Sequence, residues 1–166
     1  MVATILSAQA TDKSVNKATP KLFEAFGTPE KLAEAEIDEI EQLIKTIGLY
    51  RSKAKNLQGM AQRLLVDYGG EVPSEMHDLV SLPGVGRKTA NVVRSVSLGL
   101  PGLPVDTHVS RIVQRLGITN ETDPVKIENA VALCCQMMNM AILASGLSCM
   151  EDKCVLLESL TAPNVF

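Results

Sequence analysis

An all-α fold is predicted by three features of the sequence. Apolar residues recur at spacings of three and four, cap-type residues punctuate those stretches, and no stretch sustains the apolar–polar alternation of a strand. The chain has 166 residues, enough for one domain with a real core and too short for two ordinary ones. Hydrophobic residues make up 46% and aromatics 3%, with no Trp, so the core is expected to be built from Leu, Ile, Val, Ala and Met.

The elements follow in order. Met1 to Leu6 reads as an apolar helical segment with no polar lead-in. Gly27-Thr28-Pro29-Glu30 reads as a stop, an N-cap and a Pro at the first helical position. Ile37, Ile40, Leu43, Ile44 and Ile47 make one stripe, interrupted by Gly48. Leu57, Met60, Ala61, Leu64, Leu65 and Tyr68 make the next, ended by Gly69-Gly70. Pro73-Ser74 opens a short helix that ends near Ser81. Two more stripes follow, Val92, Val93 and Val96, then Val109, Ile112, Val113 and Leu116. Thr122-Asp123-Pro124 starts a last clear helix, to about Met140. About eight or nine short helices with brief connectors are expected, without repeats or long linkers. The tail from Val155 to Phe166 is apolar and unpatterned.

The net charge is −3 and the pI about 5.4, which taken alone argues mildly against nucleic acid. Distribution matters more. Glu24 to Glu41 is acidic, whereas Lys45, Arg51, Lys53 and Lys55 form one cationic group and Arg87, Lys88 and Arg94 another, followed by Arg111 and Arg115. These are either two faces of a polarised molecule or ordinary solvated surfaces. No apolar run approaches the roughly 20 residues that cross a bilayer, and no signal peptide is recognised, so an intracellular location without membrane is expected. A monomer is expected, because no amphipathic stretch is left over for a partner. Of the four cysteines, adjacent Cys134 and Cys135 cannot both face one metal from a regular helix. Cys149 and Cys154 alone fall short of the four ligands a tetrahedral site needs.

The sharpest signal is Leu82-Pro83-Gly84-Val85-Gly86-Arg87-Lys88-Thr89-Ala90. A helix stops at Pro83, two glycines bracket one apolar residue, and a new helix begins. Glycines permit a tight turn with positive φ and close approach of another backbone. The unpaired N–H groups of a helix start can dock a phosphate, and Val85 can anchor the turn to the core. A lone Pro-Gly-Val-Gly also fits a helix corner without a ligand. The whole segment resembles the helix-hairpin-helix element of DNA repair glycosylases.

Three further segments resemble the endonuclease III family, in the family's order: Ser7-Ala8-Gln9-Ala10-Thr11-Asp12 running on to Lys17, Ile47-Gly48-Leu49-Tyr50-Arg51-Ser52-Lys53-Ala54, and Pro104-Val105-Asp106-Thr107-His108-Val109. The resemblance covers roughly Val2 to Leu116. It implies a six-helix barrel domain over 1–118, with the hairpin element near 75–99, and 119–166 as the remnant of a C-terminal helical domain. DNA is expected across the barrel mouth, with a damaged pyrimidine flipped into a pocket. Family members carry a [4Fe-4S] cluster on four cysteines. Here only Cys149 matches a ligand position, and Ser145-Gly146-Leu147 replaces the expected His-Gly-Arg, so no cofactor is expected. Family members usually carry an extra N-terminal helix before the point that corresponds to Met1.

The resemblance also assigns roles. Gln9 and Leu49 match positions that fill the space vacated by the flipped nucleotide and hold the opposite base. A surface cap for Gln9 and core packing for Leu49 are the simpler alternatives. Lys88 matches the nucleophile, whose neutral amine attacks C1′, expels the base and forms a Schiff base, after which β-elimination cuts the strand. Without the family match, a phosphate-binding lysine is the simpler reading. Asp106 matches the aspartate that is expected to face the same pocket and stabilise cationic character at the sugar. Asp106 or Thr107 also suits a helix cap. The amides of Gly84, Val85 and Gly86 are expected to grip a phosphate, with Lys53, Arg87 and Arg94 as further contacts that position DNA without reading sequence. A monovalent cation on the turn carbonyls is also implied. His108 reads as structural.

The resulting expectation is a bifunctional DNA glycosylase and AP lyase removing oxidised pyrimidines from double-stranded DNA, or acting at abasic sites. The resemblance places it in the bacterial cytoplasm or nucleoid, or in the nucleus or mitochondrion of a eukaryote. A monofunctional glycosylase and a non-catalytic DNA-binding module are the alternatives. Lys88 argues against the first, because adenine-mismatch relatives lack a lysine there.

Overall fold

The computed structural model describes the backbone of residues 1–145 and the side chains of residues 1–137. Among the described residues there are nine α-helices and no strand: α1 (Val2–Ser7), α2 (Asp12–Ala25), α3 (Pro29–Glu34), α4 (Ile37–Ile44), α5 (Tyr50–Tyr68), α6 (Met76–Ser81), α7 (Arg87–Val92), α8 (Thr107–Arg115) and α9 (Pro124–Ser145). The all-α expectation holds. No helix among these residues is long and apolar enough to cross a membrane.

The chain divides into two compact units between Pro104 and Val105. The division falls ahead of the Asp106 segment, so α8 lies in the second unit.

In the first unit α5 is the central element. Lys53, Ala54, Leu57, Met60, Ala61 and Leu64 are its buried residues, a helical stripe that must be covered. α1, α3 and α4 pack against it, and α1 also packs on α2 and α7. Ile40, Ile44 and Ile47 from the α4 segment join Leu22 of α2 and Leu32 of α3 in the same core. Polar side chains of α5 finish the neighbouring helices. Gln58 Nε2 donates to the Ala35 carbonyl at 2.8 Å, and Gln62 Nε2 to that of Ala33 at 3.3 Å. Arg63 donates to Ser81 O at 3.1 Å. Carbonyls at the ends of α3 and α6 thus find donors that the helices themselves cannot supply.

The expected punctuation is largely present. Thr28 caps α3, accepting from Lys31 N, with Pro29 at the first position. Gly69 ends α5 with φ +61. Two expectations need correction. The sixth helix begins at Met76 rather than beside Pro73-Ser74, and the Ser74 carbonyl is taken by Arg94. The stripe of Val92, Val93 and Val96 also breaks. Val93 is buried but Val96 is 76% exposed, because α7 runs into a π-helical stretch, Val93–Ser97. The wider π turn rotates later residues off the inner face, and Leu98 packs on the core instead.

The second unit is held by α8 against α9. Val113 is buried, as are Ile127 and Val131, while Ile112 and Leu116 of the expected stripe are exposed. Asp123 Oδ1 accepts from Val125 N and Lys126 N at 2.9 and 3.0 Å, capping α9 as its Asp-Pro start predicts.

Because Leu57 is wholly buried at the middle of the central stripe, Leu57→Ala is expected to cost about 2–5 kcal/mol. A lowered urea midpoint with an unchanged denaturant slope would show it.

Candidate nucleic-acid interface

Three segments of the first unit that the sequence singles out are brought together by α1 and α5. The first is the connection after α1, where only residues 8–11 are non-helical and Asp12 already opens α2. Gln9 sits there, exposed, with φ +52. The second is the connection before α5. Leu49 is its N-cap residue, 62% exposed, with φ +59. Among the described residues these are the non-glycine residues with positive φ, a conformation that costs L-residues roughly 1–2 kcal/mol each. Such strain persists where surrounding structure enforces it, and it clusters at functional sites. The exposure of Leu49 removes core packing as an account of it.

These two connections touch. A Cβ added to Gly48 would lie 3.7 Å from the Gln9 carbonyl oxygen. The helices next to them, α1 and α5, are also tied by Lys53. The sequence reading makes Lys53 a phosphate contact, and its geometry does not fit that role: the side chain is buried, 5% exposed, and Nζ donates to Leu6 O at 2.8 Å. Burial lowers the pKa of this ammonium from the ordinary lysine value. The neighbouring Arg51 is exposed and lies over the Tyr50 ring, 5.7 Å from its centroid.

The third segment is the hairpin between α6 and α7. It sits on α5. Gly84 has φ +77, and a Cβ there would fall 2.8 Å from Asn56 Cβ. One turn further along α5, the missing side chain of Gly59 leaves room for the Pro83 ring, whose Cγ would be 3.4 Å from an added Cβ. Neither Asn56 nor Gly59 was singled out from the sequence, although a lone glycine inside a helical pattern is a signal of close packing. Leu49 and Asn56 are separated by about 10 Å of helix rise, so the hairpin and the Leu49 connection share one rigid ruler.

Within the hairpin the roles are uneven. Val85 is buried and anchors the turn, as expected. Its amide donates to Leu82 O at 3.1 Å, so it is engaged inside the turn and is not the phosphate donor the sequence reading makes it. Gly84 and Gly86 are exposed. Gly86 is the N-cap of α7 with extended φ of −86°, so only Gly84 needs the left-handed region. Lys88, the second residue of α7, is exposed, and Arg87 is half-buried. Arg94 differs from expectation. Its Nε donates to Pro101 O at 3.2 Å and a terminal nitrogen donates to Ser74 O, so its guanidinium braces two connections of its own unit.

In the second unit, Asp106 is the N-cap of α8. Oδ1 accepts from His108 N at 2.9 Å and from Val109 N at 2.8 Å. The cap that the sequence allows is therefore present, and it fixes the carboxylate's direction at the helix start. His108 is exposed.

Cys134 and Cys135 lie half-buried on α9, where adjacent side chains diverge by about 100°. Among the described residues no group of three or more His, Cys, Asp or Glu is placed to hold a metal ion. Cys149, Cys154 and the Gly146-Leu147 part of the cluster segment lie outside the described residues, as do the side chain of Ser145 and the tail from Val155.

Comparison with known proteins settles the family. Residues 2–136 match the HhH-GPD superfamily base excision DNA repair protein family. The chain belongs to that superfamily. Endonuclease III of Synechocystis sp. is 53% identical over 129 residues, 77% of this chain and 59% of that protein. Endonuclease III of Bacillus subtilis is 53% identical over 125 residues, 75% of this chain and 57% of that protein. The chain thus spans less than two thirds of the length of these relatives. Among solved structures, a trapped endonuclease III–DNA covalent intermediate, an estranged-adenine complex, aligns with a TM-score of 0.72 at 47% identity, covering 78% of this chain and 62% of that one. A 3-methyladenine DNA glycosylase of H. pylori, at 20% identity and a TM-score of 0.72, extends the likeness in fold alone. The HhH-GPD chain is therefore similar to endonuclease III, as its motifs predict.

Two contrasts follow from the geometry. Gly84→Ala meets both a left-handed φ and the Asn56 side chain and is expected to lower stability by more than about 1 kcal/mol. Gly86→Ala meets nothing within 4 Å and is expected to fold with stability within about 1 kcal/mol of wild type. Urea midpoints of the pair check this. For the α8 cap, Asp106→Ala is expected to cost about 0.5–2 kcal/mol while Asp106→Asn, which keeps an acceptor, is nearly neutral. Thermal melts of the two variants read the difference.

Proposed function

We propose that this chain is a bifunctional DNA N-glycosylase and AP lyase of base excision repair, acting on oxidised pyrimidines in double-stranded DNA. The observation that carries the proposal is the position of Lys88. It is exposed at the second residue of α7, directly after a glycine hairpin seated on α5. The same helix carries at its start the exposed, left-handed Leu49, in contact range of the Gln9 loop. The relatives named endonuclease III, and a solved structure of a trapped endonuclease III–DNA covalent intermediate, support a reading with a covalent step on DNA.

In the proposed reaction the target nucleotide leaves the stack, Leu49 and Gln9 enter the space it vacates, and Gln9 offers donor and acceptor to the orphaned base. The neutral Lys88 amine attacks C1′. The bond from C1′ to the base breaks, and the base departs with a proton. Opening of the sugar ring gives an imine between Nζ and C1′. The imine acidifies a 2′ hydrogen; its removal breaks the C3′–O bond and cuts the strand on the 3′ side of the lesion. Asp106 is assigned, by the sequence match, the carboxylate that stabilises cationic character at the sugar and moves protons. The hairpin, through Gly84 and Gly86 with Arg87 beside them, is assigned the neighbouring phosphate. No step passes through an iron–sulfur cluster.

The test is borohydride trapping on a duplex with a single abasic site. A covalent adduct is expected with the wild-type chain, none with Lys88→Ala, and a slowed one with Asp106→Asn. DNA binding without any adduct would sink the lyase and leave a monofunctional enzyme or a binding module.

A further inference from the structure

We infer that Lys53 is a positioning residue, which locks the Gln9 and Leu49 loops to each other and so sets base extrusion. It rests on the reading of Gln9 and Leu49 as the intruding residues. The side chain of Lys53 joins the helix that leads into the Gln9 loop to the helix that follows Leu49. Its Nζ donates to the Leu6 carbonyl of α1 at 2.8 Å, across 47 residues of sequence, while its backbone N–H makes the first i→i−4 bond of α5, to the Leu49 carbonyl at 3.0 Å. Leu6 lies just ahead of Gln9 at the end of α1, and Gly48 approaches the Gln9 carbonyl.

Lysine is seldom fully buried without a partner. Position 53 lies on the apolar stripe of α5, where Leu or Met would pack without desolvating an amine. The lysine stands where the two loops with left-handed non-glycine residues meet. Each strained residue persists only while its surroundings enforce it, and the Lys53 bridge fixes the offset between them. Loss of the bridge leaves both loops attached to their helices but free to slide relative to each other. Two side chains that must enter a single gap in the base stack then arrive out of register.

The experiment uses a duplex with one oxidised pyrimidine and 2-aminopurine in the opposite strand at the lesion. Insertion of the loops unstacks the 2-aminopurine and raises its fluorescence. For Lys53→Met the expected result is a KM within about threefold of wild type, a kcat lowered on the order of a hundredfold, and loss of the fluorescence rise, with a cooperative melt retained. Gln9→Ala and Leu49→Ala are measured alongside. If both of these keep the wild-type rise and kcat, the intruding-residue reading falls and the bridge falls with it. If they lose both while Lys53→Met behaves as wild type, the bridge alone is overturned. Equal loss of binding and turnover in a folded Lys53→Met also overturns it, since that is the signature of a general packing defect. Should Lys53→Met fail to fold, Lys53→Gln decides by the same readings. It keeps a polar N–H group in the buried site but is one bond shorter, which withdraws the donor from the Leu6 carbonyl, so a wild-type fluorescence rise there overturns the inference.

Discussion

The first unit depends on one constraint: the apolar stripe of α5 has to be covered, and three of the segments packed on it also position a loop or turn of the candidate interface. α1 lies on it and ends in the Gln9 connection. α4 lies on it and leads into the Leu49 connection. The α6–α7 hairpin rests on Asn56 and Gly59 of the same helix. Hydrophobic burial at about 25 cal/mol per Å² supplies the drive, and the polar residues at the edge of the stripe, Lys53, Gln58, Gln62 and Arg63, convert that burial into fixed offsets by bonding to backbone carbonyls. Core and candidate interface are thus one arrangement viewed from two sides.

Much of this was legible in the sequence because it is local. The helical stripes over 37–47 and 57–68, the Thr28-Pro29 start, the Asp123-Pro124 start and the Gly69 stop each rest on a few adjacent residues. Their physics does not depend on the rest of the chain. The hairpin was legible for the same reason, since Pro83, Gly84, Val85 and Gly86 describe one turn. Gln9 and Leu49 are singled out by the family resemblance alone, and their left-handed backbones are something no propensity rule assigns to a Gln or a Leu.

What was not legible is long-range. Lys53 sits among cations in the sequence and reads as surface, yet its spacing to Leu57 places it on the buried face, and its partner is 47 residues away. Arg94 reads the same way and braces Ser74 and Pro101 instead. The π-helical stretch over Val93–Ser97 defeats a period of 3.6, so Val96 was assigned to a face it does not occupy. The Val85 amide was offered to a phosphate because a sequence shows where an N–H is, and not whether the turn itself consumes it.

The glycine at position 59 has a consequence for dynamics. A glycine in a helix interior gives up about 1 kcal/mol of intrinsic helicity relative to alanine, and here it lies beneath the hairpin it admits. The helix thus has low intrinsic helicity where the hairpin rests on it, and packing against Pro83 offsets what the backbone lacks. Such mutual support makes a cooperative opening unit. Amide exchange in the middle of α5 and in the hairpin is then governed by one shared opening event. When that event occurs the hairpin and the Gln9 and Leu49 connections lose their reference frame together, so the surface that they form is either assembled or absent.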